Sequence, residues 1–212
     1  MLTVALAGCD ASPPRGLVIE GVIAPDATCM ADAYSPLLVE GTLDIGSSVS
    51  ASARPDGLHY FVALRIASYL PARACRDVCE DGRRLVASRV DVELFDAAGA
   101  PLEMVERVYS VPALGSVMLD RGVSPSRGIA WADVLPELVG VVLARIRPTL
   151  IEAQLTLHGT TESGAEVTSN AYRFPIRLCD GCLFACRRAA SGNAIEQPSC
   201  IVGQDAITLT CR

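Results

Sequence analysis

The chain has no lysine: all 18 of its basic residues are arginine. Histidine occurs only at His59 and His158, and tryptophan only at Trp131. Two histidines leave little material for general acid–base chemistry or a multi-histidine metal centre. His59 opens an apolar stretch and His158 sits on the polar side of another. Both are read as solvent-facing or satisfied side chains. Acidic residues outnumber basic ones, 24 to 18, for a net charge of −6. That balance argues against nucleic acid or an anionic membrane surface as the partner. No apolar run approaches the roughly 18 residues of a membrane span, and the longest, Leu138 to Ala144, is far shorter. The H-E-x-x-H, G-x-S-x-G, P-loop and EF-hand patterns are all missing. Without an identifiable base no nucleophile is assigned, so Ser124 and Ser126 are read as structural. The adjacent acids Glu80 and Asp81, followed by Gly82, read as a turn. The expectation is a protein without catalytic activity, cofactor or metal.

Cysteine is abundant, with nine residues. That is too many for an ordinary cytosolic protein of this length, where thiols stay reduced. Setting Cys9 aside leaves Cys29, Cys75, Cys79, Cys179, Cys182, Cys186, Cys200 and Cys211, an even set that suits disulfides in an oxidising compartment. Three of these precede residue 80 and five follow residue 178. Both numbers are odd, so full pairing requires at least one bridge between the two parts of the chain. Such a bridge closes a loop of about 100 residues or more, for which chain entropy allows about 4–5 kcal/mol less any native strain. The spacing leaves the connectivity open. Cys179-x-x-Cys182 with Cys200 and Cys211 is a possible zinc set, but its second pair is too far apart for the usual pattern. A redox role for Cys179 to Cys186 would need a helix after the strand, and Asp180 opposes thiolate formation.

Cys9 is set aside because Leu6-Ala7-Gly8-Cys9 has the form of a lipobox. An apolar run leads into small residues and a cysteine, as in bacterial lipoprotein precursors, which this segment resembles. Residues 1–8 are then a residual signal peptide, Cys9 the lipidated residue and 9–28 a lipid-bearing flexible tether. The basic n-region of a secretory signal is missing from these residues, which places the true start upstream. Lipid on Cys9 would attach the chain to a membrane.

Residues 10–28, with Pro13, Pro14 and Pro25, read as extended and unpaired. Beyond them the pattern is mostly of period two. Val90, Val92 and Leu94 alternate with Asp91 and Glu93 before a turn at 97–101. Ala153, Leu155 and Leu157 alternate with polar residues. Tyr172, Phe174, Ile176 and Leu178 share one face, and His59 to Leu70 reads as a buried strand. Apolar residues at helical spacing (Trp131, Leu135, Leu138, Val139, Val142) predict a short helix over 134–144, with Pro136 in its first turn. Val139 to Val142 is also β-rich, which leaves a strand there as the alternative. The fold class expected is mainly β: one antiparallel, immunoglobulin-like β-sandwich domain over 29–212, with one short helix and a cysteine-rich, disulfide-tied C-terminal segment at 179–212.

Three motifs carry a family resemblance: Pro36-Leu-Leu-Val39, Phe174-Pro-Ile176 leading to Cys179-x-Gly-Cys-Leu183, and the closing Cys200-x-x-Gly-Gln-Asp205 with Cys211-Arg212. In these the chain resembles uncharacterised secreted lipoproteins of myxobacteria and their relatives, and it departs from them at Cys186 and at Cys75 and Cys79. The resemblance implies an envelope location and a disulfide-tied β domain. The function expected is a lipid-anchored cell-envelope or surface lipoprotein, at the outer membrane on its periplasmic or surface face. Its role would be structural or binding, towards another envelope protein or a glycan. The candidate contact regions are the Arg-rich loop 73–84 and the 120–131 segment. The alternative is an envelope enzyme, or a redox or metal protein using Cys179 to Cys186. A deep pocket that gathers a histidine with a carboxylate would favour the enzyme.

Overall fold

In a computed structural model of the chain, the described residues are 16–26, 30–45, 58–70, 84–102, 106–118, 125–180, 182 and 204–205. They form nine strands and one helix. The strands are β1 (Leu17–Ile23), β2 (Leu37–Leu38), β3 (Gly41–Asp44), β4 (Phe61–Ser68), β5 (Arg84–Asp96), β6 (Tyr109–Met118), β7 (Ser126–Asp133), β8 (Leu150–Thr161) and β9 (Glu166–Cys179). The helix, α1, spans Glu137–Ile146 between β7 and β8.

All nine strands belong to one nearly closed sheet in the order β2-β1-β4-β7-β6-β5-β8-β9-β3. The predicted alternation holds in β5, β8 and β9. Val90, Val92 and Leu94, then Ala153, Leu155 and Leu157, then Phe174, Ile176 and Leu178 all point inward and are buried. Side chains from across the sheet share one hydrophobic cluster, in which Leu17 and Ile19 of β1 join Leu43 of β3 and Phe174 of β9. Near-closure brings β1 towards β9, where the Ile19 N–H donates to Asn170 Oδ1 at 2.8 Å. The predicted turn after β5 is built on Asp96, whose carboxylate accepts from the Ala98 and Ala100 N–H groups.

Three features differ from the sequence expectation. Leu17–Ile23, inside the segment read as a tether, is a strand that pairs with β4 and buries Leu17, Ile19, Val22 and Ile23. The flanking prolines lie outside the strand, so they bracket it without removing any ladder hydrogen bond. Seven strand pairings are antiparallel, but β3 runs parallel to β9. No hairpin joins those two strands, and the long intervening chain permits either direction. The helix lies where it was expected, but Pro136 is its N-cap and its buried residues are Val139, Gly140 and Leu143. Leu138 is 81% exposed and Trp131 belongs to β7, so neither contributes to the helix's inner face. Gly140 is required there, because a Cβ would run into the backbone carbonyl of Leu58.

Candidate functional site: a C-terminal clasp and a histidine row

The parallel β3–β9 pair sets Asp44 opposite Cys179. Cys179 is joined to Cys182 by a disulfide with Cα atoms 5.8 Å apart. The Asp44 carboxylate is fully buried, and its oxygen and the two sulfurs lie within 4.8 Å of one another. With both sulfurs in a disulfide, neither is the thiolate that a zinc site requires. Cys9, Cys29, Cys75, Cys79, Cys186, Cys200 and Cys211 lie outside the described residues.

Gln204 and Asp205, the centre of the closing Gly-Gln-Asp motif, dock beside this pair. Gln204 forms a β-bridge with Leu43. Its side chain accepts from the Phe61 N–H at 2.9 Å and donates to the Phe61 carbonyl. Asp205 accepts from the Tyr60 hydroxyl and from the Thr42 N–H, each at 2.5 Å. Its own N–H donates to the Thr42 carbonyl. Asp205 adopts φ 40°, in a region that aspartate tolerates better than most residues. Tyr60 is fully buried, and its ring lies against Gly41, where any Cβ would collide with the hydroxyl. Burial raises the Asp205 carboxyl above its ordinary pKa, partly opposed by hydrogen bonds from Tyr60, Thr42 and Gln204. Burial and the neighbouring Asp205 charge push the Tyr60 phenol well up. The cluster is a polar clasp with its hydrogen bonds made, and it ties the C-terminal segment to β3 and β4.

Both histidines meet carboxylates. His59 Nδ1 lies 2.6 Å from Asp133 Oδ2, and its ring stacks on Phe61 at 5.8 Å. His158 belongs to a longer row across four strands. Ser110 of β6 donates to Asp91 Oδ1 of β5 at 2.6 Å, and Asp91 Oδ2 meets His158 Nε2 of β8 at 2.7 Å. His158 Nδ1 in turn meets the Thr168 hydroxyl of β9 at 3.2 Å. Arg89 sits directly across from His158 in register, with Nε 3.4 Å from Asp91. Partial burial raises the Asp91 pKa, but the hydrogen bonds from Ser110 and His158 and the charges of His158 and Arg89 outweigh it, leaving the carboxyl below its ordinary value.

Two β-bulges position this row. β5 slips register between Ala87 and Arg89, and β8 slips against β9 between Thr156 and His158. The backbone disturbed by the slips is satisfied by side chains. Ser169 Oγ accepts from the Leu157 N–H at 2.9 Å, and the Ser88 hydroxyl donates to the His158 carbonyl at 3.1 Å. Bulges re-aim side chains in this way, and they are frequent beside functional sites.

The outer surface of the sheet divides in two. On β5, β8 and β9 it is a ladder of paired polar groups: Arg107 with Glu93, Gln154 with Glu93, Arg173 with Glu152 and Gln154, and Arg177 with Glu40. On β4, β7 and β6 it also exposes large apolar side chains. Leu114 is 75% exposed and lies opposite Trp131, which is 39% exposed and lies opposite Ala63. Phe61, two residues along β4 from Ala63, is also 39% exposed. This surface is bordered by Glu20, which takes two hydrogen bonds from Arg127 at 2.8 and 3.0 Å. Arg65 Nε lies 3.1 Å from the same carboxylate as an ion pair, without the alignment of a hydrogen bond.

Of the two contact regions expected from sequence, the loop 73–84 lies outside the described residues except for Arg84, which opens β5. In the other, 120–131, residues 120–124 lie outside the described residues, while 126–131 are strand and Ser126 is buried in it. Sequence reasoning did not identify the partners Asp91, Asp133, Thr168 and Tyr60, which no local spacing links to their contacts. Gln204 and Asp205 did carry a signal, through the closing motif. The fold and these clusters define a mainly β, disulfide-containing domain. No protein-family model, curated protein or solved structure matches the chain.

Proposed function

We propose that this protein is a lipid-anchored lipoprotein of the bacterial cell envelope, held to the membrane through Cys9, with a structural or binding role. The observation that carries the binding role is the division of the outer surface. One half is a ladder of paired polar groups, whereas the other, beside the Arg65–Glu20–Arg127 ion pairs, exposes Leu114, Trp131 and Phe61 on three neighbouring strands. Contiguous exposed apolar surface of this kind marks interaction sites, and it suits another envelope protein or a glycan. The Cys179–Cys182 disulfide supports an oxidising compartment. The shared core and the approach of β1 to β9 support a folded-over, immunoglobulin-like sandwich. The myxobacterial lipoprotein resemblance points to the same location.

The test is production behind a full signal sequence, followed by membrane fractionation and intact mass with thiols alkylated before and after reduction. The expected result is lipid mass on Cys9, no reactive thiol before reduction, and release from membranes in C9S. Protein that remains soluble, unlipidated and thiol-reactive overturns the reading. A second reading, an envelope enzyme, is favoured by one specific observation: each histidine is held by a carboxylate.

A further inference from the structure

We infer that Asp91, His158 and Thr168 form an acyl-transfer site, with Thr168 as nucleophile, that hydrolyses esters presented to the open outer face of β5–β8–β9. This inference stands apart from the binding role, since neither Cys9 nor the Leu114–Trp131 surface takes part.

The argument is one of proton placement. An ionised carboxylate only accepts hydrogen bonds, so in the uncharged form of His158 the 2.7 Å contact with Asp91 keeps the remaining proton on Nε2. Nδ1 then carries the lone pair, and the Thr168 hydroxyl must donate to it across 3.2 Å. This is the tautomer that general-base activation of a hydroxyl needs, with the carboxylate orienting the ring and stabilising the imidazolium that forms. Ser110 fixes the other Asp91 oxygen at 2.6 Å. The two bulges hold the ring in register with Thr168, directly across from it on β9. Thr168 is exposed and His158 and Asp91 are half-buried, so the nucleophile meets solvent and its base is sheltered.

In the reaction, Thr168 Oγ1 bonds to the acyl carbon and its proton passes to His158 Nδ1. The tetrahedral intermediate collapses, the ester C–O bond breaks, and the alcohol leaves with that proton. Water then repeats the path, giving its proton to Nδ1 as it attacks. The carboxylic acid departs and Thr168 is restored.

The experiment uses the full folded chain with p-nitrophenyl acetate and, separately, an alkyl fluorophosphonate, followed by peptide mapping. The expected result is an adduct on Thr168 that is kept in T168S and absent in T168V. H158Q and D91N should slow acylation by at least about 100-fold, the typical share of a general base. Circular dichroism checks that each variant keeps its strands. If H158Q does not, D91N and T168V decide, since both residues lie on the solvent side of the sheet. An unmodified Thr168 in folded wild type, or acylation at the wild-type rate in folded H158Q, overturns the assignment.

Discussion

Asp205 and Asp91 are two carboxylates displaced in opposite directions, and each leaves its own mark on stability. Burial raises Asp205 in the folded state above its ordinary 3.8. The folded protein therefore holds that proton more tightly, a contribution fully present below 3.8 and lost as pH rises through the raised value. Asp91 is lowered from 3.8 by its hydrogen-bond partners despite its burial. Its contribution is present above 3.8 and lost as pH falls through the lowered value. Urea unfolding across roughly pH 3–7 separates the two. Wild type should lose its advantage over D205N as pH rises, and gain advantage over D91N. Parallel pH profiles for all three proteins would contradict both assignments. At neutral pH, Y60F removes the hydroxyl that donates to Asp205 and should cost about 1–3 kcal/mol in the same assay. None of this was legible locally, because Tyr60 and Asp205 are 145 positions apart. Periodicity reports which face of a strand is buried. It does not report which distant polar group meets it.

At the scale of elements, a period of two was enough for β5, β8 and β9, where inward apolar residues alternate with charged or hydroxylated ones. It was not enough for β1. Leu17 and Ile19 alternate, but a bulge after Ile19 shifts the register, and Val22 and Ile23 are both buried. Pro13, Pro14 and Pro25 around it carry the opposite signal, of extended and unpaired chain. For α1 the apolar spacing found the helix but misjudged its inner face, which depends on Gly140 meeting Leu58. That contact is testable. G140A must displace the Leu58 backbone or the helix, and should destabilise by about 1–3 kcal/mol, as overpacking does. L138A, at an 81% exposed position, should stay within about 0.5 kcal/mol. Chemical denaturation of the two variants side by side compares them. Equal stabilities would mean the helix is not seated on Leu58.

For the whole molecule, the Cys179–Cys182 bridge sharpens the parity argument. It removes two of the five late cysteines, leaving Cys186, Cys200 and Cys211 against Cys29, Cys75 and Cys79. Three against three is again odd on both sides, so full pairing still demands a bridge across the body. Non-reducing peptide mapping should find at least one peptide from the first set joined to one from the second. Finding every bridge within its own set, with a leftover thiol in each, would end that expectation. The clasp also sets an order of events. Tyr60 and Phe61 leave the ribosome 145 and 143 positions ahead of the Asp205 and Gln204 that complete their hydrogen bonding. Until then the Tyr60 hydroxyl and the Phe61 backbone lack these partners. A nascent chain built this way postpones its final closure until a segment far along the sequence arrives to lock it.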